Sequence, residues 1–128
     1  MAIRYKMIQR VTPGEKGGGK RAYYPAIVTN QTVQPYDFTE LVSREGRLSK
    51  ALVTKFLLVT SKVLKEQMLD GNIVQIEGLG SFSPGLRYHG EPNPTRVNAK
   101  DMEISINFRP FFYIKKELAD AKFQKVKE

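Results

Sequence analysis

The sequence predicts an α+β fold: a helix pair forming an intertwined dimer, a three-stranded antiparallel sheet drawn out into a β-ribbon, a closing helix, and a β-hairpin ahead of them all. Two patterns lead there. Eleven of the 21 residues from Ser49 to Leu69 are apolar, with no Pro or Gly among them, which is more than one face of a monomeric helix carries. After Gly71 the apolar period shortens to that of a strand, and it holds through NIVQIEG, SFSPG and MEISINF. Helices followed by strands indicate segregated layers rather than alternating βαβ units.

Residues 1–34 form the expected N-terminal β-hairpin extension. Its strands are IRYKMIQRV, from Ile3 to Val11, and Tyr23 to Val28, with TPGEKGGGKR between them. Gly14, Gly19 and Lys20 have the spacing of a nucleotide-binding P-loop, but Arg21 stands where a Ser or Thr hydroxyl would reach magnesium. That motif also needs a helix after its glycines, whereas Ala22 to Val28 is aromatic, β-branched and interrupted by Pro25. The glycines therefore read as the tip of a hairpin.

A polar connector, TNQTVQ, leads to Pro35 and a short helix. In YDFTELVSREG, Asp37 and Glu40 fit a reciprocal cap and Gly46 fits a left-handed stop. Ser49 caps a longer helix that Gly71 ends. Leu52, Phe56, Val59 and Val63 follow one stripe of it; Val53, Leu57, Leu64 and Met68 follow the neighbouring one. Two stripes call for burial on two sides, either in a symmetric dimer with exchanged helices or beneath the N-terminal hairpin of the same chain.

Beyond Gly71, NIVQIEGLGSFSPG reads as a tight hairpin turning at GLG. YHGEPNPTRVNAKD is polar, rich in turn formers and able to project. MEISINF returns, with Met102, Ile104, Ile106 and Phe108 on one face. Pro110 starts a last helix, FFYIKKELADAKFQKV, with Phe111, Ile114, Leu118 and Phe123 inward.

The balance of 21 Lys and Arg against 13 Asp and Glu, a net charge of +8, suits an anionic polymer. The excess lies at the ends: six bases and one acid in residues 1–30, nine bases and six acids in residues 81–128, and parity between. With no cysteine there is neither a disulfide framework nor a thiolate metal site, which is compatible with a reducing cytoplasm. No stretch approaches the roughly 20 apolar residues that span a bilayer, so a soluble, unexported protein is expected. Catalytic residues, metal and cofactor are all expected to be absent: His89 is the lone histidine, in a turn-rich segment, and Asp37, Glu40 and Glu45 suit capping and helix solvation.

Residues 36–126, about seven tenths of the chain, resemble the bacterial HU and integration host factor family of histone-like, DNA-bending proteins. The motifs that carry the resemblance are TELVSREGRLSKALVTKFLLVTSKVLKEQMLDG, similar to the family's dimer-forming helix pair; VQIEGLGSFSPG, similar to its I-G-F-G-x-F hairpin; and FRP at Phe108 to Pro110, similar to F-K-P. The basic start with YYP after it resembles a subgroup carrying an N-terminal extension, which leaves residues 35–128 as the HU-like DNA-binding domain. The resemblance implies a homodimer whose two ribbon arms reach around the minor groove of double-stranded DNA, each with a proline wedging a base step. It implies a non-enzymatic, nucleoid-associated architectural protein of the cytoplasm, with no membrane and no small-molecule substrate as partners.

A ribbon with Arg87, Arg96, Lys100 and Arg109 suits phosphates, and counterion release makes such affinity salt-sensitive and largely nonspecific. Lys115 joins them from the last helix. Pro94 is the wedge candidate, with Pro92 the alternate and a merely rigid turn the bland alternative. This tip reads E-P-N-P-T-R where the family commonly has R-N-P-x-T-G. Lys16, Lys20 and Arg21 fit additional phosphate contacts or a solvated loop. Tyr5, Tyr23, Tyr24 and Tyr88, interleaved with bases, suit stacking on single strands or half-buried strand positions. The competing function is a dimeric protein-interaction module on the same fold that has lost DNA bending.

Overall fold

The computed structural model describes residues 1–11, 21–90 and 92–127. Among them are three α-helices and two three-stranded sheets, a mixed α+β protein. Among the described residues no helix is long and apolar enough to cross a membrane. The chain divides into two units, one of residues 1–34 with 118–128 and one of residues 35–117.

In the first unit, β1 (Ile3–Val11) lies between β2 (Arg21–Ile27), antiparallel, and β6 (Phe123–Lys125), parallel. The Val28 N–H donates to the Arg4 carbonyl at 2.8 Å, so hydrogen-bonded pairs fall on even residues of β1. Pro25, opposite Met7, therefore sits at a non-hydrogen-bonded pair on an edge strand, where its missing N–H removes nothing from the ladder. The odd β1 residues point their own backbone groups at β6: the Val126 N–H donates to the Tyr5 carbonyl at 2.9 Å. TPGEKGGGKR lies largely outside the described residues, but a strand, not a helix, follows it.

The second unit opens with α1 (Pro35–Gly46) and α2 (Lys50–Leu69). Pro35 begins α1, a position where its missing N–H costs nothing. Asp37 and Glu40 consequently fall inside the helix and do not form the expected cap; Glu40 instead pairs with Arg44 at 3.4 Å and Lys50 at 3.7 Å. The left-handed residue ending α1 is also not Gly46 but Arg47, at φ 54°. It is held by Leu48, whose N–H donates to the Ser43 carbonyl at 3.0 Å and whose carbonyl accepts from the Ser43 hydroxyl. Ser49 caps α2, accepting from the Leu52 N–H at 3.2 Å, and Gly71 at φ 82° lets the chain leave it.

The two stripes of α2 part company. Val53 and Met68, 3% and 5% exposed, are the buried hydrophobic residues among those described, with Leu64 half-buried on the same stripe. Leu52, Phe56, Val59 and Val63 all stand exposed on the other, Phe56 by 68%.

The second sheet is β3 (Val74–Ile76), β4 (Gly80–Arg87) and β5 (Glu103–Pro110), antiparallel in that order. Gly78, at φ 81°, makes the turn between β3 and β4. Because β3 reaches only to Phe82, the stretch from Ser83 to Arg87 pairs with Glu103 to Asn107 alone, as a two-stranded ribbon.

The last helix is shorter than its sequence suggests: α3 spans Phe112–Leu118 and stops, and the residues expected to continue it form β6 instead. Phe111 and Ile114 are half-buried as expected, whereas Leu118 and Phe123 are exposed. Pairing of Ile3 with Phe123 and Tyr5 with Lys125 gives this segment a ladder that overrides its helix propensity. Residues 118–128 thereby group with residues 1–34 in the first unit.

Candidate nucleic-acid interface

The ribbon has two unlike faces because strand side chains alternate. Directly opposite residues share a face, so Phe82, Pro84 and Leu86 lie with Phe108, Ile106 and Ile104, while Ser81, Ser83, Gly85 and Arg87 lie with Arg109, Asn107, Ser105 and Glu103. The Phe111 N–H donates to the Leu79 carbonyl at 3.1 Å, which puts hydrogen-bonded pairs on the polar set and non-bonded pairs on the apolar one. Non-bonded pairs bring side chains closest, and Phe82 stacks on Phe108 with centroids 4.7 Å apart. Pro84 belongs to that set too, so its nitrogen faces away from β5.

Two glycines let the strands approach. A Cβ on Gly80 would come within 2.3 Å of the Arg109 carbonyl oxygen and 2.8 Å of the Phe108 ring. One on Gly85 would meet Ser105 Oγ at 2.6 Å and Asn107 Nδ2 at 2.8 Å, so these two polar side chains lie across the glycine. At the base of the ribbon the Gly78 N–H donates to the Tyr113 hydroxyl at 3.1 Å, joining α3 to the β3–β4 turn.

The tip is built from two 3-10 turns, Pro94–Arg96 and Ala99–Asp101. Each is started by an asparagine: Asn93 Oδ1 accepts from the Thr95 N–H at 3.0 Å and hydroxyl at 2.7 Å, and Asn98 Oδ1 accepts from the Lys100 N–H at 3.0 Å. The repeated device ends one turn on Arg96 and centres the other on Lys100. Pro94 occupies the first position of its turn, exposed, where its fixed φ suits the geometry.

Of the residues singled out from sequence, Arg87 and Lys100 line one open depression of about 610 Å³ with Tyr88, His89, Asp101 and Glu103. Arg96 and Pro94 share the tip. Arg109 is on the same face as Arg87 but six residues along, about 20 Å at strand rise. Lys115 is on α3, exposed and away from the ribbon register. All six are exposed, and among the described residues the ion pairs are those of Glu40, so none of the five cations forms an ion pair, although Glu103 stands directly across the strands from Arg87. Arg21 is the first residue of β2; Lys16 and Lys20 lie outside the described residues. Pro92 is exposed beside the tip turns. No group of three His, Cys, Asp or Glu among the described residues is placed to hold a metal.

The sequence reading passed over Arg4, Lys6 and Arg10. Their common parity on β1 puts them on one face of the first sheet, and that alternation was the available signal.

The solved structures include a candidate bacterial DNA-binding protein from Bacteroides vulgatus that superposes with a TM-score of 0.73 at 10% identity, covering 98% of this chain. This chain spans 48% of that one, and at such identity the likeness is one of fold. No curated protein matches. The model of the HU-HIG family, described as an HU domain fused to wHTH, Ig, or glycine-rich motif, matches residues 1–125. With the helix pair, the amphipathic ribbon and its turn-built tip in place, and a match over nearly the whole chain, the protein belongs to the HU-HIG family.

Proposed function

We propose that this protein binds duplex DNA as a homodimer, without catalysis and largely without sequence preference, and bends it as a nucleoid-associated architectural protein. The ribbon carries the reading: a two-stranded element exposing Arg87 along one face and Arg96 and Lys100 at its tip, with Arg109 on the same face in the three-stranded base. Cations outside ion pairs exchange counterions with phosphate, and serines, asparagine and glycine on the same face leave the backbone open to approach. Pro94 at the tip is the wedge, and Lys115, Lys16, Lys20 and Arg21 are further phosphate contacts. The family and the DNA-binding description of the structural neighbour agree with this reading.

The dimer follows from α2. Leu52, Phe56, Val59 and Val63 leave a continuous apolar stripe in water, and covering each such side chain is worth about 1.5–3 kcal/mol. Two chains packing these stripes together would supply the second side of the core.

The test is gel retardation of linear duplex over a salt series. Replacing Arg87, Arg96 and Arg109 by alanine removes up to six phosphate contacts per dimer, lowering the slope of log affinity on log salt by up to about 5. Unchanged binding by that variant would favour the competing protein-interaction module.

A further inference from the structure

The first sheet is also two-faced: Arg4, Lys6 and Arg10 share one side, and the register puts Arg21 and Lys125 on the other. Hydrogen-bonded pairing places Arg4, Lys6, Ile8 and Arg10 of β1 with Val28, Ala26, Tyr24 and Ala22. The opposite face takes Ile3, Tyr5 and Met7 with Pro25, Ile27 and Phe123. We propose that the Arg4–Lys6–Arg10 face is a second binding surface for the phosphate backbone of duplex DNA, separate from the ribbon.

Four observations support it. Alternate strand residues recur every ~6.7 Å, about two base-pair rises of a B-form strand, so the row from Arg4 to Arg10 runs along roughly 20 Å of a rigid phosphate ridge. The three cations are exposed and unpaired, and Asp120 is the one carboxylate among the described residues of this unit. Arg4 is already oriented, its Nε and Nη2 donating to Asn30 Oδ1 at 3.2 and 2.7 Å, which leaves its remaining donors free of rotamer search. Across the strands small residues face two of the cations, Ala22 opposite Arg10 and Ala26 opposite Lys6, while Ile8 and Tyr24 stand between them.

The ligand is a duplex rather than a single strand because of where the aromatic rings are. Stacking platforms for unpaired bases combine aromatics with the cations. Here Tyr5, Tyr23 and Phe123 occupy the other face with Arg21 and Lys125, and Tyr24 is the one aromatic ring on the face of Arg4, Lys6 and Arg10 among the described residues. Such a face grips phosphates and reads no sequence.

The inference rests on the reading of the chain as a duplex DNA binder but not on the ribbon, and the full chain tests both. Anisotropy of a labelled 30-base-pair duplex is followed over a salt series for wild type, for the sheet variant R4T/K6T/R10T, for the ribbon variant R87A/R96A/R109A, and for their combination. The sheet variant is expected to lower the salt slope by about 2 to 3 per chain, independently of the ribbon variant, so that the two losses add. The charge-preserving R4K/R10K is expected to retain the wild-type slope. A sheet variant with a folded far-UV spectrum and full slope overturns the proposal. So does an R4K/R10K protein as weak as the sheet variant, or a sheet-dependent affinity found for a 30-nucleotide single strand and not for the duplex. Loss on the ribbon arm alone would leave the ribbon reading standing while this one falls, and loss on the sheet arm alone the reverse.

Discussion

Gly80 is fixed by crowding rather than by a turn. Its φ is ordinary, yet a methyl group there would overlap the Arg109 carbonyl and the Phe108 ring that stacks on Phe82. Gly80→Ala is therefore expected to destabilise the second unit by about 1–3 kcal/mol, read as a lower urea midpoint with an unchanged m-value. From sequence, Gly78 and Gly80 were indistinguishable members of a GLG turn. The distinction depends on a partner strand more than twenty residues away, so no local pattern holds it. The same applies to the end of α1: glycine preference points to Gly46, while the Ser43–Leu48 contacts place the left-handed residue one step later at Arg47. Ser49 and Gly71, whose roles use only near neighbours, were legible as they stand.

Elements were readable where one period ran uninterrupted. In α2 both stripes, its cap and its stop follow from the chain itself, and in β5 the alternation of Ile104, Ile106 and Phe108 gives the face correctly. The C-terminal segment was not readable, because FFYIKKELADAKFQKV carries a helical pattern throughout and only the β1 ladder converts its second half to a strand. The tip turns lie between these cases: asparagines before Pro94 and Ala99 announce turns, but not that both would be 3-10 and would present Arg96 and Lys100. At this scale the wedge and the phosphate contacts separate experimentally. Pro94→Ala is expected to lower the cyclisation efficiency of short duplexes severalfold while leaving the salt slope of binding within error, since it removes an apolar insert and no charge. A P94A protein that cyclises DNA as well as wild type would reduce Pro94 to a turn former.

For the whole molecule, the outward stripe of α2 is the feature with the largest thermodynamic leverage. Phe56→Glu is expected to convert a dimer into a monomer by sedimentation at micromolar concentration and to weaken duplex binding at least tenfold, because paired ribbons become single ones. The stripe itself is legible in the sequence, but what covers it, the partner chain or the hairpin, is not. The basic row of the first sheet was missed for a related reason: the charges were counted, but their parity mattered only once β1 was known to pair on both edges. That double pairing has a temporal consequence. During synthesis β1 keeps one edge open until residues 123–125 emerge, on the order of ten seconds later at ordinary elongation rates. Deleting residues 123–125 would therefore bare an edge of β1 more than a hundred residues away, and a nascent chain stalled before them would offer that strand to its neighbours on the polysome.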